Sequence, residues 1–303
     1  ENIFIGDNAG GSTTLANNNT FLGMNSGVLT SVGSQNVFVG NESGFANTTG
    51  ELGTFIGRRA GYTNSDGIEN TFIGAYAGQF NTSGGHNSFL GVTAGNLNTS
   101  GEENSFLGAH AGYSNTTGSF NTFVGNFSGV NNETGSGNSL LGFEAEVGSA
   151  GLINAMALGN TAIVNSSNSV VIGNSNVTSI GGQVGWSTLS DARLKENIQK
   201  NDLGLTFINS LETVTYNYKK TENKTRYTGL IAQDVESLLG KMGVNFSGIV
   251  KPENDNDYYT IRYAEFVIPL IKAVQEQSEV IDQLNERLTD LEKKIELLIK
   301  QQN

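Results

Sequence analysis

The hydrophobic and polar residues in the N-terminal part of the chain follow a repeat of seventeen residues. Glycine recurs ten times at this interval, at positions 6, 23, 40, 57, 74, 91, 108, 125, 142 and 159. An aliphatic residue stands before each of these glycines, and phenylalanine stands one place earlier in the first eight repeats. A second glycine follows four residues later in the same eight repeats. The unit therefore reads Asn-Thr-Phe-Ile-Gly-x-x-Ala-Gly, and a polar turn completes it.

This period predicts a β-solenoid, because seventeen residues are too few for a helical hairpin and suit one coil of stacked strands. We expect each coil to contain a strand, a glycine corner, a second short strand and a turn. Coils about 4.8 Å apart would form a rod on the order of 45 Å long. Neighbouring strand residues point to opposite faces, so the Phe and aliphatic positions form two apolar columns. One column can fill the inside of the coil. The other faces outwards and needs an apolar partner, which predicts a parallel homotrimer.

The C-terminal part has a different apolar pattern. From residue 267 onwards it follows a heptad, which predicts a parallel coiled coil with polar Gln277 in the seam. Arg287 at position g can meet Glu292 at position e of a parallel neighbour. The seam positions are Val267, Val274, Ile281, Leu288 and Ile295 at a, and Leu270, Gln277, Leu284, Leu291 and Leu298 at d.

Composition changes where the repeat ends. Thirty-five of the forty glycines precede Ser190, and both prolines follow it. Residues 1 to 189 contain two basic and eleven acidic residues, a charge of −9, whereas the remainder carries −3. The predicted domains are a mainly β solenoid rod over 1–175, a junction over 176–189, an α+β core over 190–263 and a coiled-coil helix over 264–303.

Several classes of function are disfavoured by composition. The chain has no cysteine, which excludes a disulfide scaffold, a cysteine zinc site and a thiol nucleophile. The net charge of −12 opposes binding to nucleic acid or to an anionic membrane, and no apolar run of eighteen residues exists. We expect no cofactor, no metal, no nucleic-acid partner and no membrane insertion. The opening Glu1-Asn2-Ile3-Phe4 has no methionine or signal-peptide pattern, which suggests an excised fragment.

One column of the repeat places charged residues on successive coils. Glu69, His86 and Glu103 each lie five residues before their glycine, so they are expected within about 5 Å of one another. Such a column could bind a metal or support acid–base chemistry, but a solvated turn is the favoured interpretation. His110 lies in a column that offers no carboxylate partner.

Four Asn-Thr-Thr or Asn-Thr-Ser triplets match N-glycosylation acceptors. They begin at 47, 81, 98 and 115, and each falls at the predicted turn of its coil. We therefore interpret them as turn residues.

The repeats resemble the head repeats of trimeric autotransporter adhesins, which have the pattern Asn-Ser-Val-Ala-Ile-Gly and a shorter period. The run Asn168–Gly173 comes closest, because the last glycine interval falls to fourteen residues. The resemblance covers residues 1 to about 175. It implies a trimeric β-roll and says little about a ligand.

The run from Ser187 to Ile198, which contains Ser190-Asp191-Ala192-Arg193-Leu194-Lys195, resembles the start of the intramolecular chaperone of endosialidases, the peptidase S74 family. The segments 216–218, 228–236 and 263–273 agree with it. The resemblance implies self-cleavage between Leu189 and Ser190. It also implies Ser190 as nucleophile and Lys195 as general base, a chemistry that burial of a lysine would support.

The spacing of these two residues limits how they can meet. Residues five apart in a regular helix lie about 140° apart around its axis, so the pair needs an irregular segment or a partner chain. The alternative makes Ser190 a helix N-cap, Asp191 a first-turn residue and Lys195 a surface charge.

Together these features favour the distal part of a trimeric phage or phage-like tail fibre, or of a bacterial surface adhesin, that binds a cell-surface glycan or protein. Its location would be a virion or injection particle, or the bacterial cell surface. A tailspike-like enzyme that degrades glycans and an ice-binding solenoid are the alternatives. At most, we expect a single-turnover self-cleaving protease.

Overall fold

The computed structural model describes residues 1–219 and 225–302. It divides into two compact units. Unit 1 contains Glu1–Ser179 together with Glu253–Asp257, and unit 2 contains Ile180–Pro252 and Tyr258–Asn303. Each unit is described separately below.

Unit 1 is a β-solenoid whose coils pair through one parallel sheet of eleven strands. Phe4 lies opposite Phe21, and Phe21 lies opposite Phe38, so the register advances by one repeat per coil. The predicted fold class is confirmed. The sheet strands are β1 (Ile3–Ile5), β2 (Thr20–Leu22), β3 (Val37–Val39), β4 (Thr54–Ile56), β5 (Thr71–Ile73), β6 (Ser88–Leu90), β7 (Ser105–Leu107), β8 (Thr122–Val124), β9 (Ser139–Leu141), β11 (Met156–Leu158) and β13 (Val170–Ile172).

A column of stacked phenylalanines forms the core of the rod. Their ring centroids are 4.7 to 4.9 Å apart, and seven consecutive rings are buried. Burial of each side chain contributes about 1.5 to 3 kcal/mol, and stacking adds about 0.5 to 1.5 kcal/mol. The buried rings are Phe21, Phe38, Phe55, Phe72, Phe89, Phe106 and Phe123.

The second glycine of the first eight repeats packs against these rings, which leave no room for a side chain. Gly78 has φ +55°, and a Cβ placed on it would lie 2.6 Å from a ring carbon of Phe72. A side chain is therefore excluded both by the backbone conformation and by the ring. Where Leu140 replaces Phe, the corresponding glycine becomes Glu146, and where Ala157 replaces Phe it becomes Ile163.

The second strand of the coil occurs only where this glycine is replaced. β10 (Glu146–Val147) pairs in parallel with β12 (Ile163–Val164), and Val147 and Val164 are buried. The first eight repeats have a turn in its place. The prediction of a second strand in every coil is therefore wrong, because a glycine packed against a phenylalanine ring adopts a left-handed turn instead of extended backbone.

Two columns of buried asparagines close the polar side of each coil. In the first, the side-chain oxygen accepts a backbone N–H of the next coil at 2.8 to 3.0 Å. In the second, each side-chain amide donates to a glycine carbonyl three residues later, and usually to the asparagine one coil earlier. The second column is Asn47, Asn64, Asn81, Asn98, Asn115 and Asn132.

These buried side chains include the asparagine of all four Asn-Thr-Thr and Asn-Thr-Ser triplets. Their amide nitrogens are inside the folded coil, where a glycan could not be attached. The interpretation of the triplets as turn residues is therefore confirmed for the folded rod.

Unit 2 is an α+β arrangement with a long C-terminal helix. Its core contains Leu203, Phe207, Val235, Leu239 and Phe266. The elements are α1 (Leu205–Asn209), α2 (Ala232–Met242), α3 (Val267–Gln302), and the antiparallel strand pairs β14 (Val214–Tyr216) with β15 (Tyr227–Gly229) and β16 (Ile249–Val250) with β17 (Thr260–Ile261).

The helix α3 contacts α1 near its start. The carboxylate of Glu276 accepts the backbone N–H of Leu205 at 2.7 Å, which satisfies a free donor at the beginning of α1. This bond and the ammonium of Lys272 lower the pKa of Glu276. The predicted seam of α3 is exposed: Val274, Ile281, Leu284 and Leu291 are each at least half exposed on this chain.

Candidate functional site

The segment before α1 begins with a short turn fixed by one carboxylate. Asp191 is the N-cap of a 3-10 helix, Ala192–Leu194, and its Oδ1 accepts the backbone N–H of Arg193 at 2.9 Å. The guanidinium of Arg193 also binds this carboxylate, and the ion pair lowers the pKa of Asp191. The turn ends at Lys195, whose N–H donates to the carbonyl of Ala192.

This turn brings the two predicted site residues together. The Nζ of Lys195 lies 2.7 Å from the Oγ of Ser190, which is hydrogen-bond distance. The irregular segment expected from the five-residue spacing is thus the 3-10 turn, and no partner chain is needed for the contact. The alternative in which Ser190 is the N-cap is wrong, since Asp191 occupies that position.

The pair is open to solvent on this chain. Ser190 and Lys195 are both exposed, and the side chains of Leu189 and Trp186 just before them are 85% and 90% exposed. A lysine removes a proton only in its neutral form, which burial favours. The fold of one chain therefore supplies the contact between the two groups but does not bury the base.

The charged column on the rod forms one close pair. His86 Nδ1 lies 3.2 Å from the Glu69 carboxylate, and both side chains are about half exposed. Within the described ranges, Glu103 makes no ion pair, and no three His, Asp or Glu residues are arranged to hold a metal ion. As predicted, His110 lies between Thr93, at 2.7 Å, and Phe127, whose ring stacks on it at 4.6 Å.

Two chemically distinctive features escaped sequence analysis. Glu146 is buried in the rod, and burial raises its pKa to about 7 although the N–H of Val147 donates to it. In unit 2, tyrosines line a cavity of 440 Å³, and a hydrogen bond with Tyr218 raises the pKa of Tyr216 to about 12. The tyrosines that line it are Tyr216, Tyr218, Tyr258, Tyr259 and Tyr263.

Comparison with protein families identifies one segment of the chain. Residues 190–244 match the family described as chaperone of endosialidase, peptidase S74. The matched segment begins at Ser190 and includes Lys195; the similar run at 263–273 lies outside it. No curated protein and no solved structure matches the chain. Among the described residues, no helix is long and apolar enough to cross a membrane.

A chaperone segment of this type after a β-solenoid fits a trimeric protein of the tail-fibre or adhesin type.

Proposed function

We propose that this chain is the distal part of a trimeric fibre that binds a cell-surface receptor and is assembled by its own C-terminal chaperone. The fibre would belong to a phage, a phage-like injection particle or a bacterial surface. The observation that carries this proposal is the Ser190–Lys195 contact inside the chaperone segment that follows the solenoid. We propose the same domains that the sequence predicts, with the chaperone core over 190–263 and the coiled coil over 264–303.

The outer faces of the strands support association of identical copies. The aliphatic residue of each strand points away from the phenylalanine column, and in six coils it is 37% to 48% exposed. Only another copy of the rod presents the same column at the same spacing, so coil can lie beside coil along the whole length. The six residues are Leu22, Ile56, Leu90, Leu107, Leu141 and Leu158.

The heptad seam of α3 supports a route to this assembly. Three parallel helices would bury the exposed seam and hold three rods at high effective concentration. Contacts between rods join different chains, and such contacts form slowly at low concentration without tethering. The chaperone would therefore act before the rods pair.

Self-cleavage is the chemical step in this proposal. Ser190 Oγ would attack the carbonyl carbon of Leu189 while its proton passes to neutral Lys195. The C–N bond then breaks, the Ser190 nitrogen takes the proton from Lys195, and Leu189 is left as an ester on Ser190. Water hydrolyses this ester to give a Leu189 carboxylate and a chain that begins at Ser190. Because both residues are exposed on one chain, neighbouring chains of the trimer would have to exclude water from Lys195.

Intact-mass analysis of the purified full chain tests this step. After trimerisation we expect two fragments that meet between Leu189 and Ser190. Ser190→Ala and Lys195→Ala should give full-length chains that still form trimers, and Ser187→Ala, which changes an exposed serine nearby, should cleave normally. Cleavage of Ser190→Ala would contradict the assigned nucleophile. A wild-type chain that stays intact in complete trimers would leave the domain with the chaperone role alone.

A further inference from the structure

Both arginines of the rod lie at one corner of its coils. Arg58 and Arg59 are the only Lys or Arg residues in the first 189 positions. Arg59 forms an ion pair with Glu42 of the preceding coil, and its guanidinium lies 5.1 Å from the centroid of the Tyr62 ring. Arg58 lies 5.5 Å from the centroid of Tyr76, and no carboxylate in the described part of the chain pairs with it. Arg58 is exposed, so its guanidinium faces solvent beside the Tyr76 ring and without a carboxylate partner.

The tyrosines of the rod lie in two columns, of which one also contains Arg59. Residues 1 to 189 contain three tyrosines, and each follows its repeat glycine by two or five positions. All three are partly buried, and no described residue makes a hydrogen bond to their hydroxyls. Each ring is held by a neighbour: Tyr62 stacks on Phe45 at 5.0 Å, Tyr76 lies beneath Arg58, and Tyr113 contacts His110.

Backbone geometry does not account for the side chains of Arg59 and Tyr76. The second residue after each repeat glycine is left-handed, and Asn8 and Asn25 suit that conformation in the first two coils. Later coils place Arg59, Tyr76 and Phe127 there, at φ values of 55° to 62°. These residues are less favourable than asparagine in left-handed backbone, so their presence calls for a role of the side chain.

We infer that this surface, formed by Arg58, Arg59, Tyr62 and Tyr76 and called here the arginine corner, binds a polysaccharide that carries carboxylate groups. The inference rests on the proposed receptor-binding function and names its ligand class. The hydroxyls of Tyr62 and Tyr76, to which no described residue makes a hydrogen bond, can bond to sugar hydroxyls. Arg58 supplies a planar pair of donors for a carboxylate. Arg59, which is bound to Glu42, holds the ring of Tyr62 in place.

An extended ligand fits this arrangement better than a single sugar. The arginine corner lies on adjacent coils, and the same columns continue to His110 and Phe127 on later coils. Coils are about 4.8 Å apart, so a chain that runs along the rod passes Tyr76, then Thr93, and then the rings of His110 and Phe127. The carboxylate requirement follows from the unpaired Arg58 in a segment whose net charge is otherwise strongly negative.

The test uses the full chain on an array of purified bacterial polysaccharides, acidic and neutral. Each acidic polysaccharide is also printed after chemical reduction of its carboxylates to alcohols, and polyglutamate serves as an acidic polypeptide. We expect wild type to bind at least one acidic polysaccharide and to lose that binding on the reduced form. Arg58→Gln should weaken binding at least about tenfold. Gln35→Glu, which also makes the rod more negative by one unit, changes an exposed residue in a column where Glu69 and Glu103 already stand, and should bind as wild type.

Three outcomes would overturn the inference: equal binding by Arg58→Gln, binding only to neutral polysaccharides, or binding to polyglutamate alone. An altered oligomeric state in Arg58→Gln would also overturn it, because the arginine corner would then be an interface between chains. Binding of the same proteins to whole bacterial cells separates this inference from the proposed function. If wild type and Arg58→Gln bind cells equally, receptor binding stands and the arginine corner is not its site. If wild type binds neither cells nor the array, both proposals fail.

Discussion

The rod and the C-terminal unit differ in how they bury their apolar residues. In the rod, one column of apolar side chains is enclosed by each coil, and buried asparagines bond to the backbone of the next coil. In unit 2, five buried residues form the core, and α3 leaves its heptad seam exposed. A coil is thus held mainly by its two neighbours in the same chain, whereas α3 would gain most from packing against helices of other chains.

The two regions therefore contribute differently to the association of chains. The interior of the rod needs no partner, and its outer aliphatic column is interrupted by threonine and serine on the same strand face. The seam of α3 is apolar at every a and d position except Gln277, and its exposure to water is unfavourable. Association should therefore begin at α3 and spread to the rods, and single substitutions can separate the two contributions.

The largest effect is expected at the seam of α3. Leu291→Asp places a charge at a d position, where three parallel helices would bury it, so trimers should be lost. Leu297→Asp makes the same change at a c position on the outer face and is the matched control. The two leucines are 54% and 60% exposed on the single chain, so stability of the isolated helix does not distinguish them. Light scattering that shows equal masses for both variants would contradict the coiled-coil prediction.

The second effect tests the enclosed column of the rod. Phe72→Ala removes a fully buried ring that stacks on Phe55 and Phe89 at 4.9 Å. The cavity should cost about 3 to 5 kcal/mol, measured as the shift in free energy of unfolding in urea. Phe120→Ala, at an exposed turn position of the same rod, should change stability by less than about 0.5 kcal/mol. Similar losses in both variants would mean that the stacked column is not the main support of the coils.

Much of the rod follows from its sequence because each requirement is repeated in every coil. The phenylalanine and glycine positions identify the coil, and the heptad identifies α3. The turn role of four asparagines was predicted but the ladder that they form was missed, although Asn rather than a mixture of Asn, Ser and Asp stands at 47, 64, 81, 98, 115 and 132. Such strict identity is the signal of a ladder that needs both a donor and an acceptor.

The other differences between the sequence-based prediction and the structure arise from single local contacts. The second strand appears where Phe and its partner glycine are replaced together, at Leu140 with Glu146 and at Ala157 with Ile163. That paired change was visible in the sequence. The pairing of Ser190 with Lys195 was implied only by the family resemblance, and the 3-10 turn that Asp191 fixes between them could not be deduced from their spacing. The arginine corner combines residues of successive coils, so it becomes apparent only when the columns are aligned.

The smallest effect concerns the one acid that the rod encloses. Burial raises the pKa of Glu146 to about 7 from an ordinary value of 4.5, so the folded rod binds a proton more tightly than the unfolded chain. Stability from this group is fully present below pH 4.5 and is lost as pH rises to about 7. The loss should be at most about 3.5 kcal/mol, since one pKa unit corresponds to about 1.4 kcal/mol.

Comparison with Glu146→Gln isolates this contribution, because glutamine keeps an oxygen that can accept the N–H of Val147 and does not ionise. Between pH 4.5 and 7, the free energy of unfolding of wild type should fall relative to that of Glu146→Gln. Glu144→Gln, an exposed neighbour in the same coil, should follow wild type at every pH. Parallel curves for wild type and Glu146→Gln would show that Glu146 ionises as an ordinary acid. The enclosed part of the rod would then tolerate a charge at the position where the glycine of the earlier coils is replaced.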